Sequence, residues 1–267
     1  MEHFKRTFSI PRLDPGKSSR EDLDLIREMP LTVSVNGLVL AATMRTPGLE
    51  KAQAAGLCLG DGILASREDL LGFQGDASEK SAHVQVRVSR EAFQRAQNLA
   101  EERGKDQPFP PGATDEDIAD LLSSQIAPFT TDQPLVDRLK AHEHAQAIWS
   151  KQHIHHITRS AHASFVFDRS LNPLSMAEDV GRHNALDKAL GAVFLDGKAA
   201  QAEVVIVSCR MNKDVVRKCA NARIPVVFSI SRPTTTAVLM ARKLNMTLAL
   251  STRDGGVYVF SGRERIG

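Results

Sequence analysis

The chain has 267 residues, of which 42% are apolar and 25% charged, and its formal net charge is +2 at pH 7. That length holds one large or two small domains, and the composition is that of an ordinary globular protein. The small charge argues against a nucleic-acid binder, and no apolar run approaches the roughly 20 residues of a membrane span. The three scattered cysteines and the charged N-terminus favour a cytoplasmic protein without a disulfide framework.

The first half of the chain predicts an arm followed by a small α/β region. Residues 1–28 are polar, and two prolines and a glycine interrupt them, so we expect an irregular arm. In the region 29–134, alternating apolar residues on either side of Asn36-Gly37 predict a β-hairpin over 31–44. The other elements expected in this region are a helix over 46–59, a turn over 60–63, a strand over 82–88, a loop over 104–114 and a short helix over 114–122. Residues 90–103 are expected to form a polar helix, or a continuation of the preceding strand followed by a helix.

The second half, residues 135–267, follows a different pattern. After a helix predicted over 134–151, apolar strands alternate with helices, which predicts a parallel or mixed sheet covered on both faces. The expected strands are 161–167, 204–208, 225–230, 246–251 and 257–261, and the expected helices begin after Asp179 and span 212–221 and 234–244.

The segment EDVGRHNALDK, residues 178–188, contains more acidic, basic and amide side chains than the start of an ordinary amphipathic helix needs. We expect Asp179 to cap the helix, and His183 to meet Asp187, four residues further along the same face. Arg182, His183 and Asn184 would surround the helix N-terminus, which favours an anion. A capped surface helix with solvated charges is the alternative.

Three predicted strands end in residue types that bind phosphate: SCR at 208–210, SISRPT at 229–234 and STRDGG at 251–256. In open α/β sheets, ligands lie beyond the carboxyl ends of the strands, and hydroxyl, guanidinium and backbone N–H groups bind phosphates there. Any one of these steps is explained by an N-cap or a turn. Because all three carry an arginine, we expect them to form one ligand site.

Segment 178–188 closely resembles the signature of the FdhD family, the formate dehydrogenase accessory sulfurtransferases, and the three strand-end steps match that family in order. The resemblance implies a cytidine-deaminase-like three-layer α/β domain behind a smaller N-terminal α/β region, and a homodimer. The zinc signature of the deaminases is absent from the chain. The family resemblance further implies that the chain binds the guanine-dinucleotide molybdenum cofactor (bis-molybdopterin guanine dinucleotide, with GDP as an analogue). The partners that it implies are formate dehydrogenase and a cysteine desulfurase. By position, the resemblance places part of the cofactor site at Ser251, Thr252, Arg253, Asp254, Gly255 and Gly256. Arg182, His183, Asn184 and Arg210 are expected to line the same site.

The chain departs from this family where sulfur would be carried. Family members have a segment with two cysteines, the first of which holds the persulfide, and the matching segment here is SSQIAPF, residues 123–129. The two cysteine positions are Gln125 and Pro128, neither of which can carry sulfur. The usual sulfur transfer is therefore either absent or has moved to Cys58, Cys209 or Cys219, and no catalytic residue is assigned. Cys209 replaces a family glycine; beside Arg210 it is either a nucleophile or a small buried apolar residue.

Four histidines between residues 153 and 162 could bind zinc, but no carboxylate or cysteine follows at ligand spacing, so we predict no metal site. Three functions stay open. The first is a formate dehydrogenase accessory protein that binds the cofactor and supports its sulfuration and insertion. The second is a cofactor-binding chaperone or regulator without sulfur transfer. The third is a nucleotide-binding enzyme, for which His183 with Asp187 is the candidate base.

Overall fold

The computed structural model describes residues 3–75, 82–104, 112–130 and 136–267. The strands are β1 (Lys5–Asp14), β2 (Lys17–Ile26), β3 (Met29–Val35), β4 (Leu38–Arg45), β5 (Leu70–Gln74), β6 (Ala82–Val88), β7 (His162–Phe167), β8 (Pro173–Asp179), β9 (Val204–Val207), β10 (Val226–Ser229), β11 (Thr247–Ser251) and β12 (Val257–Ser261). The helices are α1 (Glu50–Gly60), α2 (Arg90–Gly104), α3 (Asp115–Ser123), α4 (Arg138–Gln146), α5 (His153–Thr158), α6 (Arg182–Leu195), α7 (Lys213–Asn221) and α8 (Thr235–Lys243).

The second half of the chain forms a six-stranded mixed sheet with the order β12-β11-β10-β9-β7-β8. Strands β9, β10 and β11 are parallel, and β12, β7 and β8 add antiparallel pairs at the two sides. Val205, Val207 and Val227 face the core that α6, α7 and α8 cover, while Ile206 and Phe228 face the core beneath α4. The predicted fold class, a three-layer α/β arrangement, is confirmed.

A second sheet of four strands, in the order β4-β3-β6-β5, comes from the first half of the chain. The predicted hairpin is confirmed as β3 and β4, and its turn residues Asn36 and Gly37 have φ values of 44° and 93°. The predicted strand over 82–88 is confirmed as β6, which pairs with β3 in parallel. Strand β5 was not predicted from the sequence, since LLGFQ lacks regular alternation.

Helices α1 and α6 join the two halves of the molecule. A Cβ atom on Gly56 would lie 1.8 Å from the carbonyl oxygen of Asp187, and one on Gly191 would lie 1.8 Å from that of Ala52. Only glycine permits so close an approach of two helix backbones. The two halves consequently share one apolar core, to which both sheets contribute.

The prediction of an irregular N-terminal arm was wrong, because most of that segment forms the antiparallel ribbon of β1 and β2. Pro11 is tolerated because, among the described strands, neither β1 nor β2 has a second neighbour that would need its missing N–H. Gly16, at φ 78°, supplies the turn between the strands. The division into domains at residues 134 and 135 falls outside the described residues and stays a prediction.

Several predicted boundaries also change. Helix α1 begins at Glu50 rather than at residue 46, with Leu49 in the left-handed region before it. The helix predicted over 134–151 is shorter, because Asp137 caps α4 and α5 forms a separate helix after it. Residues 173–179 form strand β8, which was not predicted. Most of the loop predicted over 104–114 lies outside the described residues.

The remaining predicted strands and helices of the second half are confirmed to within two residues at their ends. The short helix over 114–122 is confirmed as α3, where the Thr114 hydroxyl accepts from the Asp117 N–H and the Asp117 carboxylate accepts in return from the Thr114 N–H. In the part of the chain that the structure describes, no helix is both long and apolar enough to cross a lipid bilayer.

Candidate functional site

The carboxyl ends of β9, β10 and β11 lie at one edge of the six-stranded sheet, because the three strands are parallel and adjacent. Strand β7 runs the opposite way, so it begins at this edge, and the Ser208 N–H donates to the Ala163 carbonyl oxygen there at 3.0 Å. Strand β8 ends at the same edge, since His162 lies opposite Asp179. The three predicted phosphate-binding steps and the start of α6 therefore meet along one edge of the sheet.

Three arginines at this edge form what we call the cationic edge set: Arg182, Arg210 and Arg253. Arg210 and Arg253 are exposed, and among the described residues none of the three forms an ion pair. Within the described part of the chain, the buried Nε atom of Arg182 has no hydrogen-bond partner. Helix α6 begins at Gly181 without a side-chain cap, so its first N–H groups also face this edge. Such a donor set fits an anion.

The loop that carries Arg253 is fixed by its own side chains. The Thr252 hydroxyl contacts Asp254 and donates to the Gly256 carbonyl oxygen at 2.8 Å. The hydrogen bond from Thr252, together with backbone N–H groups, lowers the pKa of Asp254. Gly255 has φ 91°, which favours glycine there. Of the predicted residues in this loop, Arg253 is therefore the one whose polar atoms are free for a ligand.

Two residues of α4 that the sequence analysis did not assign to the site also hold this loop. The Gln146 amide donates to the Ser251 hydroxyl at 2.9 Å and to the Thr252 carbonyl oxygen at 3.1 Å. His142 Nδ1 lies 2.7 Å from the same hydroxyl. His142 and Gln146 are four residues apart on one helix face. That spacing was visible in the sequence, but nothing in it linked α4 to a loop more than 100 residues away.

The hydroxyls of the other two strand ends serve the fold. The Ser208 hydroxyl accepts from the Ala163 N–H at 2.9 Å, and the Ser229 hydroxyl donates to the Cys209 carbonyl oxygen at 2.6 Å. The Thr234 hydroxyl caps α8 by accepting from the Ala237 N–H. The alternative of caps and turns is thus correct for these hydroxyls, and only the arginines remain available.

The two acids before α6 do not cap it as expected. Glu178 instead accepts from the N–H groups of Ile154 and His155, at 2.9 and 2.8 Å, and so caps α5. Asp179 is fully buried and accepts from the Thr46 and Gly181 N–H groups at 3.0 and 2.8 Å. The N-cap position of α6 belongs to Gly181, because the chain leaves β8 two residues before the helix begins.

Asp179 is the centre of what we call the buried polar set: Asp179, Asn184, Asp187 and Lys188. The Lys188 ammonium lies 2.6 Å from the Asp179 carboxylate and donates to the Thr46 carbonyl oxygen at 2.7 Å. The Asn184 amide donates to the Met44 carbonyl oxygen at 2.8 Å and to Asp179 at 3.1 Å. Asn184 was expected to line the cofactor site, but its amide is engaged by the end of β4 instead.

His183 and Asp187 do not form the expected pair. Asp187 accepts from the Lys218 ammonium at 2.6 Å, and its burial raises its pKa to about 6. His183 Nε2 lies 3.4 Å from the Asn212 amide oxygen and 3.9 Å from Asp214. Burial and the neighbouring Arg182 lower the pKa of His183. The third hypothesis requires His183 and Asp187 to act together as a catalytic base. They do not meet, because Asp187 faces α7.

The three cysteines, Cys58, Cys209 and Cys219, are all buried and free. Burial raises the pKa of Cys209 to about 11 even though Arg182 and Arg210 lie close enough to lower it, and it raises that of Cys219 to about 12. Burial raises the pKa of Cys58 as well. Since the thiolate is the nucleophile, none of them is activated at neutral pH. The proposal of Cys209 as a nucleophile is therefore not supported, and its interpretation as a small buried residue agrees with its 5% exposure.

Gln125 and Pro128, at the positions of the family's cysteines, are exposed just after α3. The Gln125 amide lies 3.3 Å from a carboxylate oxygen of Glu102. This segment is thus accessible but contains no sulfur atom. Across the described residues, no group of three or more histidine, cysteine, aspartate or glutamate side chains is placed to hold a metal ion.

Comparison with known proteins agrees with this architecture. A crystal structure of a candidate formate dehydrogenase accessory protein from Desulfotalea psychrophila has the same fold, with a TM-score of 0.77 at 20% identity over 99% of this chain and 100% of that one. The sulfur carrier protein FdhD of Anaeromyxobacter dehalogenans is 32% identical over 254 residues, 90% of this chain and 87% of that protein. The protein of that name from Streptomyces coelicolor is 30% identical over 275 residues, 96% of this chain and 94% of its own. The sequence profile of the FdhD/NarQ family matches residues 26–267, so the chain belongs to the FdhD/NarQ family.

Proposed function

We propose that this chain is a formate dehydrogenase accessory protein that binds the guanine-dinucleotide molybdenum cofactor at the cationic edge set. The names of its relatives, sulfur carrier proteins and a candidate formate dehydrogenase accessory protein, support this role. The observation that carries the proposal is that Arg182, Arg210 and Arg253 lie along the sheet edge at which α6 begins, without an ion-pair partner among the described residues. Phosphate groups of the cofactor complement these charges.

The donor set fits the phosphate-bearing part of that ligand better than its neutral parts. A guanidinium forms two parallel hydrogen bonds with a phosphate, and the first N–H groups of a helix add further donors. The buried Nε of Arg182, for which the described residues supply no hydrogen-bond partner, is such a donor. The cofactor is the cargo in this proposal, and the roles of this chain are to bind and orient it.

The cysteines favour the second hypothesis, a cofactor-binding chaperone that does not relay sulfur through its own thiols. All three thiols are buried with raised pKa values, and the exposed positions 125 and 128 hold Gln125 and Pro128. In this proposal the protein protects the cofactor and delivers it to formate dehydrogenase. Transfer of sulfur from a cysteine desulfurase would then bypass this chain. The cytoplasmic location and the homodimer stay predictions.

Calorimetric titration with GDP tests the binding site. We expect saturable binding that weakens by about tenfold or more in Arg182→Ala, Arg210→Ala and Arg253→Ala, because each loses a charge-assisted hydrogen bond. Arg138→Ala is a matched control, since this exposed arginine begins α4 while Gln146, at the other end of that helix, contacts the site. Absence of binding, or equal affinity in all variants, would remove the proposed site.

Complementation distinguishes the two roles in sulfur transfer. In a strain that lacks its own accessory protein, the triple variant Cys58→Ala/Cys209→Ala/Cys219→Ala is expected to support formate dehydrogenase as the unmodified chain does. Loss of formate dehydrogenase activity with GDP binding retained would instead assign the sulfur relay to one of the three thiols. Retained GDP binding also shows that the variant is folded.

A further inference from the structure

Trp149, the only tryptophan of the chain, lies in the hydrogen-bonded turns between α4 and α5. Its side chain is 44% exposed. An exposed apolar residue needs no explanation by itself, because such residues are normally scattered over a protein surface. Its neighbours, however, place Trp149 beside the cationic edge set.

On one side, Trp149 is close to the loop that carries Arg253. It follows Gln146 by three residues, and the Gln146 amide donates to the Ser251 hydroxyl and to the Thr252 carbonyl oxygen. Hydrogen-bonded turns continue the chain past the end of α4. Residue 149 therefore lies about 5 Å, the rise of one helical turn, beyond the residue that holds this loop.

On the other side, Trp149 packs against His155. The two ring centroids are 4.8 Å apart, and the planes of the rings are inclined by 46°. The His155 ring is fixed in turn, because its Nδ1 donates to the Ala161 carbonyl oxygen at 2.9 Å, and its backbone N–H donates to Glu178 at 2.8 Å. Ala161 precedes β7 and Glu178 is near the end of β8, so both belong to the edge at which Arg182 lies.

The pair of Trp149 and His155 consequently spans one side of this edge. Strands β11 and β7 are three positions apart in the sheet, which is about 14 Å at the usual strand spacing. Helix α4 reaches the end of the first strand, next to Arg253, and His155 reaches the start of the second. Burial, Arg182 and His155 all contribute to the pKa of His162 at the start of β7, and burial and Arg182 lower it. The aromatic pair therefore lies between the positions of Arg253 and Arg182.

An exposed indole ring beside guanidinium groups matches the two chemically different parts of a nucleotide. The phosphates of a nucleotide form charge-assisted hydrogen bonds with arginine. Its base has an aromatic face, and stacking on an aromatic side chain stabilises the complex for every base, because each has such a face. Inorganic diphosphate offers only the first of these two parts.

We propose that Trp149, held in place by His155, stacks on the purine base of the nucleotide whose phosphates the cationic edge set binds. This inference rests on the proposed function, since it requires a nucleotide at that edge. It adds a residue that distinguishes a nucleotide from a diphosphate alone, and that residue lies outside segments 178–188 and 251–256, where the family resemblance places the site. A tryptophan that is exposed without a ligand would instead leave the affinity for GDP independent of the indole ring.

Calorimetric titration with GDP and with inorganic pyrophosphate tests the proposal. In Trp149→Ala we expect the affinity for GDP to fall at least about fivefold, because the stacking is lost, and the affinity for pyrophosphate to stay unchanged, because pyrophosphate has no base. Trp149→Phe keeps an aromatic ring and should retain most of the GDP affinity. Leu139→Ala is the matched control, since this leucine is 60% exposed in the first turn of α4, at the other end from the site.

The possible results separate this inference from the proposed function. If the unmodified chain binds GDP and Trp149→Ala binds it equally well, or loses equal affinity for GDP and pyrophosphate, the stacking is overturned and the cationic edge set remains. If the unmodified chain does not bind GDP, the proposed function fails, and the inference that rests on it fails as well.

Fluorescence provides an independent measurement, because emission from tryptophan reports on Trp149 alone. We expect saturating GDP to quench this emission with the dissociation constant that calorimetry gives, and saturating pyrophosphate to leave it nearly unchanged. Stacking brings the base into contact with the indole ring, whereas a diphosphate at the arginines does not touch it. An emission that saturating GDP leaves unchanged would overturn the proposal.

His155 is a positioning residue in this proposal. His155→Ala leaves the indole ring present but less ordered, so we expect the affinity for GDP to fall about threefold and the affinity for pyrophosphate to stay unchanged. His156→Ala is the matched control, since His156 is the exposed neighbour on the same helix. Equal losses of affinity for both ligands in His155→Ala would overturn the positioning role.

Discussion

The buried polar set and the cationic edge set both draw on the start of α6, yet their polar groups are used in opposite ways. Asp179 and Lys188 bond each other and the backbone around Thr46, and Asn184 bonds Met44. Arg182, six residues before Lys188, is only half-buried, and its Nε has no hydrogen-bond partner among the described residues. An unpaired buried charge is costly, so the inward side chains must be paired within the protein, and only the outward ones are free for a ligand. The signature segment therefore connects the two halves of the molecule and also contributes Arg182 to the proposed binding site.

The largest expected effect is at Asp179 and tests whether the buried polar set stabilises the fold. In Asp179→Ala, Lys188 keeps a buried charge without its partner, so we expect the free energy of unfolding to fall by about 3–5 kcal/mol. Urea unfolding measures this. The double variant Asp179→Leu/Lys188→Met removes both charges and should recover most of the loss. Arg253→Ala should leave stability unchanged, and equal losses in Asp179→Ala and Arg253→Ala would contradict the distinction between the two sets.

A second test asks whether the buried thiol of Cys209 is reactive in the folded protein. With its pKa near 11, Cys209 holds on the order of a hundredfold less thiolate at pH 7 than an ordinary exposed cysteine, so iodoacetamide should modify it correspondingly slowly. The rate should rise about tenfold for each pH unit up to that pKa, because the thiolate is the reacting form. Mass spectrometry after timed alkylation measures the rate, with the urea-unfolded chain as the control. Rapid modification of native Cys209 at pH 7 would point to an activated thiol.

The contact of the two halves is tested at Gly191. In Gly191→Ala the new methyl group would lie 1.8 Å from the Ala52 carbonyl oxygen, which forces α1 and α6 apart. We expect a loss of about 1–3 kcal/mol in the free energy of unfolding. Gly104→Ala is the control, since that glycine ends α2 and no described residue comes within 4 Å of an added Cβ. Equal stability of the two variants would show that the helices separate without cost.

The smallest expected effect concerns the hydrogen bonds from α4 to the loop that carries Arg253. Gln146→Ala removes the bonds to Ser251 and Thr252 that fix the loop carrying Arg253, and we expect GDP affinity to fall by about fivefold, or roughly 1 kcal/mol. Calorimetry and urea unfolding should be measured together. Gln94→Ala is the control, because Gln94 is exposed on α2 and its side chain bonds Asn98, one turn further along the same helix. Loss of stability with affinity unchanged would make Gln146 a structural residue alone.

The sequence by itself determined the elements whose signals are local. Apolar runs marked the buried strands β9, β10 and β11, Asn36-Gly37 marked a hairpin, and Thr114 with Asp117 marked the start of α3. The signature segment was sufficient to identify the family, which the profile over residues 26–267 confirms. These features depend on neighbours within a few residues, so periodicity and capping chemistry predict them.

The tertiary structure alone decided which polar residues are free. The partners of Asp179, Asn184 and Asp187 lie on β4, on the segment after it and on α7, and those of Ser251 lie on α4. No local pattern assigns such partners, because they come from segments 30 to 140 residues away that the fold brings together. The same holds for β1 and β2, whose polar residues pair because the turn at Gly16 aligns them. A side chain's role at this edge follows from whether the fold has already satisfied its hydrogen bonds and charge, and residue type alone does not reveal that.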